Sequence, residues 1–210
     1  LWAELIAVAL GALQGALFAS SFRDRRIDVL GVALIGIGVA LGGSVLRDVF
    51  LNELPVAIRS NWYLPVAAVA ALLGMALQRV FVRLQAVITL LDAVSMGLFG
   101  AIGTTKALSL GVPAVPAVFI GALSAVGGSL VRDVSLNLPI AVMQVGSLYA
   151  VAAGIGSALT VVLVAVSVPV VTAAVAGVLV TTVVRLGAVR FDWNAPEQRA
   201  LSLRRRASRS

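Results

Sequence analysis

The sequence predicts an all-α membrane protein with seven transmembrane helices, arranged as two inverted three-helix repeats plus a seventh helix. Three observations carry that expectation. Hydrophobic residues make up 60% of the 210-residue chain and the mean hydropathy is +1.08, whereas soluble domains hold roughly 45–50% apolar residues. The stretch Gly42-Gly43-Ser44-Val45-Leu46-Arg47-Asp48-Val49-Phe50-Leu51-Asn52 returns as Gly127-Gly128-Ser129-Leu130-Val131-Arg132-Asp133-Val134-Ser135-Leu136-Asn137, with eight of eleven positions identical, which marks a duplicated unit. Three spans separate the copies, so the second enters the membrane from the opposite side. Inverted repeats of this kind place ion or substrate sites where the halves meet near mid-bilayer.

Spanning helices need roughly 20 apolar residues, and the chain offers seven such segments in order. The first covers residues 5–22 and is stopped by the charged turn Arg23 to Asp28. The second runs from 29 to about 52 and leaves through Glu53-Leu54-Pro55. The third covers 63–78, followed by a basic link over 79–85, and the fourth runs from 87 to about 108, ending at Gly111-Val112-Pro113. The fifth covers 114–137 and carries the second glycine pair. The sixth covers 148–167, and the seventh 170–184, with Pro169 between them. The domain reading is one transmembrane unit over 1–190 (repeat one 5–80, repeat two 87–167, helix seven 170–186) and a basic cytoplasmic tail over 191–210.

Charge narrows the function. The net charge is +7, but seven of the sixteen basic residues follow residue 184, where they read as an orientation signal and a contact for anionic lipid headgroups. No nucleic-acid partner is expected. Glu4 precedes the first apolar run and Arg23-Asp24-Arg25-Arg26 follow it, the reverse of a signal peptide, so this segment is expected to be retained. With the N-terminus outside, basic residues divide thirteen inside against three outside, giving an N-out, C-in orientation. The chain contains no histidine and no cysteine, which removes thiolate metal sites and imidazole bases. No enzyme, catalytic residue, metal site or cofactor is expected.

The repeated motif is physically costly, since each glycine inside a helix loses roughly 1 kcal/mol of propensity against alanine. Gly42, Gly43, Gly127 and Gly128 either bend their helices, freeing backbone groups toward a cavity, or let helices approach closely. Ser44 and Ser129 either offer hydroxyls to a passing ion or bond back to the preceding turn. Arg47, Asp48, Arg132 and Asp133 follow about 8 Å further along the axis. Charges at this depth cost about 2.5–3.5 kcal/mol on insertion scales and must be paired or wetted. Neighbours i and i+1 do not face each other on a helix, so each arginine is expected to find its acceptor on another helix. Lys106 reads as a gating or voltage-sensing charge or as a snorkelling end residue, and Asp92 as a pore carboxylate or a helix-start charge.

The doubled Gly-Gly-Ser-x-x-Arg-Asp-Val, the Thr104-Thr105-Lys106 segment and the three-plus-three-plus-one arrangement resemble the prokaryotic TRIC (trimeric intracellular cation) channels, which overlap the bacterial glycine-transporter-type membrane proteins. Members commonly carry three glycines where this chain has Gly-Gly-Ser. The resemblance implies a homotrimer with one pore per protomer between glycine-kinked helices two and five, passing K+ or Na+, with bound lipid at its surface. It makes the glycine pairs hinges, the Arg-Asp pairs charges near the path, and Lys106 a gating residue. The alternative from the motif alone is a small-solute transporter for glycine or a similar zwitterion, because half-helix ends suit a carboxylate.

Overall fold

The computed structural model describes residues 2–21, 27–81, 85–143 and 148–193. The charged turn at 22–26, Arg83 and the tail from residue 194, on which most of the orientation bias rests, lie outside the described residues.

Each of the seven apolar segments is a helix. They are α1 (Trp2–Ser20), α2 (Val29–Phe50), α4 (Tyr63–Phe81), α5 (Gln85–Ser109), α6 (Ala114–Ser135), α7 (Tyr149–Ala165) and α8 (Val170–Arg190). Between α2 and α4 lies one further helix, the single turn α3 (Val56–Arg59). A 3-10 turn, Ala141–Met143, stands at the corresponding place after α6. Neither short element was visible as an apolar run. Five helices, α1, α2, α5, α6 and α8, are long and apolar enough to cross a membrane, while the apolar stretches Tyr63–Gln78 and Tyr149–Ala165 are shorter. This is an all-α membrane protein.

α2 and α6 stop in the same way. After α2 the Glu53 amide donates to the Asp48 carbonyl at 2.8 Å, and after α6 the Leu138 amide donates to the Asp133 carbonyl at 2.8 Å. The residues at the turn, Asn52 (φ 54°) and Asn137 (φ 46°), take the left-handed conformation that asparagine tolerates and that closes a helix C-terminus by a six-to-one hydrogen bond. Prolines at 55, 113, 139 and 169 then redirect the chain, since proline cannot continue a helix.

Packing rests on small residues. α1 sits against α4, α2 and α5, and its buried Ala7, Ala12 and Ala16 let the neighbours in close. α2 crosses α6 at the two glycine pairs, joining the halves. A Cβ on Gly43 would fall on the Ser124 carbonyl, one on Gly127 would stand 2.7 Å from the Gly43 Cα, and one on Gly128 would fall on the Val39 carbonyl. Both helices are α-helical without interruption through these positions. In this state the glycines act as a close crossing.

α8 has no counterpart in the first half and covers only the second, packing on α5 and α7. Its outer face exposes Val171, Val175, Leu179 and Val183, as a helix at an apolar boundary does. It runs to Arg190, beyond the expected end at 184–186. Arg185 therefore lies within the helix and faces the interior, which removes it from the set of basic residues read as an orientation signal.

Candidate functional site

The motif builds the same clamp twice. Arg47 Nε donates to Asp48 Oδ1 at 2.7 Å, and Arg132 Nε donates to Asp133 Oδ1 at 2.9 Å. The second carboxylate oxygen of each aspartate accepts a backbone N–H eight residues on, Val56 for Asp48 and Ala141 for Asp133, both at 2.9 Å. Each aspartate thus ties the helix end to the segment that follows it. The expectation that each arginine finds its acceptor on another helix holds in part: both arginines pair first with the neighbouring aspartate, and Arg47 also reaches Glu4 of α1. The i,i+1 rule describes Cβ directions, and a long arginine in the last turn folds back far enough to meet its neighbour.

Around the first clamp lies a buried network. Arg47 Nη2 reaches Glu4 Oε1 of α1 at 3.4 Å, Tyr63 of α4 donates to Glu4 Oε2 at 2.6 Å, and Lys106 Nζ of α5 donates to Asp48 Oδ1 at 2.8 Å. Arg47 and Asp48 are 1% and 0% exposed. Two acids and two bases form one connected chain with Asp48 at its hub. A buried charge is tolerated when it is paired and hydrogen-bonded, and Lys106 is so held here, not at the surface.

The second clamp has the same inventory and different wiring. Tyr149 of α7 donates to Asp92 Oδ1 of α5 at 3.0 Å, and Arg185 of α8 pairs with Asp92 Oδ2 at 3.5 Å. Arg132 lies over the Phe18 ring at 4.1 Å, and Arg185 over the Tyr149 ring at 4.5 Å. Among the described residues Arg132 pairs with Asp133 and Arg185 with Asp92.

A vestibule of about 230 Å³ opens at this second end, walled by Phe18, Arg132, Arg185, Gln14, Asp92 and Tyr149 among others. The last three also line a chamber of about 20 Å³ that continues inward to Ser95, Phe99, Gly128 and Ser129. Gly128 of the second glycine pair thus borders this cavity as well as the helix crossing. Ser44 and Ser129 bond back to their own helices, donating to the Leu41 and Val126 carbonyls at 2.8 Å each. Lys106 and Asp92 stand in opposite clusters.

Sequence reasoning missed Gln14, Glu4, the two tyrosines and Arg185 as members of these clusters. The near-match of Tyr63 and Tyr149 between the repeats was the available signal for the tyrosines.

Known proteins match the chain along most of its length. The model of the family described as Glycine transporter matches residues 1–79 and 89–165. A UPF0126 inner membrane protein, YadS, of Escherichia coli (strain K12) is 33% identical over 93% of this chain and 94% of its own. A UPF0126 membrane protein of Deinococcus radiodurans is 34% identical over 74% and 72%. Among solved structures, a chain from work on conductance through TRIC cation channels superposes with a TM-score of 0.81 at 28% identity, covering 93% of this chain and 95% of that one. The TRIC trimeric intracellular cation channel orthologue from Rhodobacter sphaeroides gives 0.81 at 26% identity, covering 90% and 96%.

Proposed function

The chain belongs to the Glycine transporter family of membrane proteins, and from that premise we propose that it is a cation channel selective for monovalent ions, K+ in the first place. The observation that carries this reading is the pair of adjoining cavities, the vestibule and the chamber at Gly128 and Ser129, which share Gln14, Asp92 and Tyr149 in their walls, in a chain whose structural relatives include TRIC cation channels. On this reading all seven long helices span the bilayer as inverted repeats plus α8. The N-terminus is outside, the Lys106 cluster faces outward, and the vestibule opens to the cytoplasm. Three protomers associate, each with its own pore along the α2–α6 crossing.

The gate is the connected network at the first clamp. A cation passing there must displace Lys106 from Asp48, and the α2–α6 crossing must loosen at the glycines, which supplies the hinge. Planar-bilayer recording on purified protein tests the function. Stepwise K+ currents are expected, and silence across voltage and calcium conditions would refute the channel. Gly43→Ala, which forces α2 from the Ser124 backbone, is expected to change open probability at a destabilisation of about 1–3 kcal/mol. Unchanged gating in a folded variant would remove the hinge.

One observation favours a second reading, transport of a small zwitterion. The vestibule presents the guanidinium groups of Arg132 and Arg185 beside the Asp92 carboxylate. Saturable uptake of glycine into liposomes, without stepwise current, would replace the channel by this alternative.

A further inference from the structure

Gln14 is a buried polar residue of apolar α1 that neither charged cluster uses. It is 3% exposed, it lines both the vestibule and the chamber, and no described residue hydrogen-bonds its amide. Buried amides without a protein partner are met by something in the cavity they face.

The chamber's other polar groups define what that is. Ser95 donates to the Asp92 carbonyl at 3.0 Å, Tyr149 donates to Asp92 Oδ1 at 3.0 Å, and Ser129 donates to the Val126 carbonyl at 2.8 Å while standing within hydrogen-bonding reach of the Tyr149 hydroxyl. A hydroxyl whose hydrogen is committed has only lone pairs left to offer. The chamber is therefore rich in acceptors, and its occupant must be a donor or a cation. The nearest guanidinium charges are compensated, Arg185 by Asp92 and Arg132 by Asp133.

We propose that this chamber binds one dehydrated monovalent cation and that the Gln14 amide oxygen is the ligand that sets its selectivity. At about 20 Å³ the space holds one water-sized body, so an ion enters without most of its hydration shell. Neutral oxygens from Gln14, Ser95 and Ser129 take the place of water, the ligand type that replaces the K+ shell in selective filters, while the Asp92 carboxylate in the same wall adds negative charge. The inference rests on the cation-channel reading and adds Gln14 of α1 and Ser95 of α5 to Ser129 of the motif helix α6.

The test uses bi-ionic K+/Na+ recordings of the full chain, wild type and Gln14→Leu, with helix content and thermal midpoint as the check on folding. Gln14→Leu is expected to lower K+ conductance about fivefold, the effect of one neutral ligand, and to bring the K+/Na+ permeability ratio close to unity. Gln14→Glu keeps an oxygen but raises its field, and should conduct with the preference moved toward Na+. A conducting wild type with Gln14→Leu unchanged in both conductance and ratio would overturn the site. A wild type that passes no cation would overturn the channel reading instead. Should Gln14→Leu not fold, Tl+ diffracted anomalously from wild-type crystals decides: a peak within the chamber supports the site, and its absence there overturns it.

Discussion

At one end of the molecule Asp48 gathers Arg47, Lys106 and the Val56 amide, and Arg47 carries the chain on to Glu4 and Tyr63. At the other end the same motif holds Arg132 and Asp133 to each other, while Asp92 turns to Tyr149 and to an arginine from α8. Each end has two acids, two bases and a tyrosine. The difference traces to one pair of positions. Phe18 follows Glu4 by fourteen residues on α1 and Lys106 follows Asp92 by fourteen on α5, so each stands at the same distance along its helix from that helix's acid. Where Lys106 binds Asp48, Phe18 offers Arg132 only a ring face. An ammonium at that place welds a cluster together, and a phenyl ring leaves it divided beside an open vestibule.

The sharpest way to break this comparison is to remove each hub. Asp48→Ala leaves Arg47 and Lys106 without their shared acceptor and is expected to destabilise by about 3–5 kcal/mol, as for one partner of a buried pair. Asp133→Ala frees Arg132 beside the vestibule, where water can reach it, and should cost clearly less. Thermal melts in detergent of both variants check the order, and equal losses would mean that the wiring difference carries no energy.

Next in size is the tyrosine pair, each donating to a carboxylate, a bond type worth about 1.5–3 kcal/mol. Tyr63→Phe should lose more than Tyr149→Phe, since its bond is 2.6 Å against 3.0 Å. Denaturation midpoints of the two variants measure it. The smallest effect belongs to the ring: Phe18→Leu removes a cation–π contact worth about 0.5–2 kcal/mol. It should shift stability slightly and leave the Lys106 end unaffected, as hydrogen exchange at the α3 segment would report.

The sequence carried the helices and the duplicated charges because apolar length and repetition are local signals. It carried Asp92 and Lys106 as candidates because a charge inside an apolar run stands out on its own. It could not place Arg185, which follows a long apolar helix and reads as a tail residue until α8 is seen lying against α5 and α7. Gln14 left no readable signal, since one neutral amide in an apolar helix gives no sign of what it faces. The pairing of Arg47 with Asp48 was misread because side-chain reach at a helix end outweighs the direction of the Cβ. The glycine pairs fitted both bending and close approach, and the fold makes their crossing explicit.

α8 covers one half only, and that has a consequence for how the chain assembles. Membrane proteins are made from the N-terminus onward, and their parts pack as they emerge. Every member of the Asp48 network has been synthesised once Lys106 is out, halfway along the chain. Asp92 and Tyr149 must wait for Arg185 while nearly eighty further residues are made after Lys106. The Lys106 end is thus ready to lock early in biogenesis, and the vestibule end stays loose until the last helix arrives.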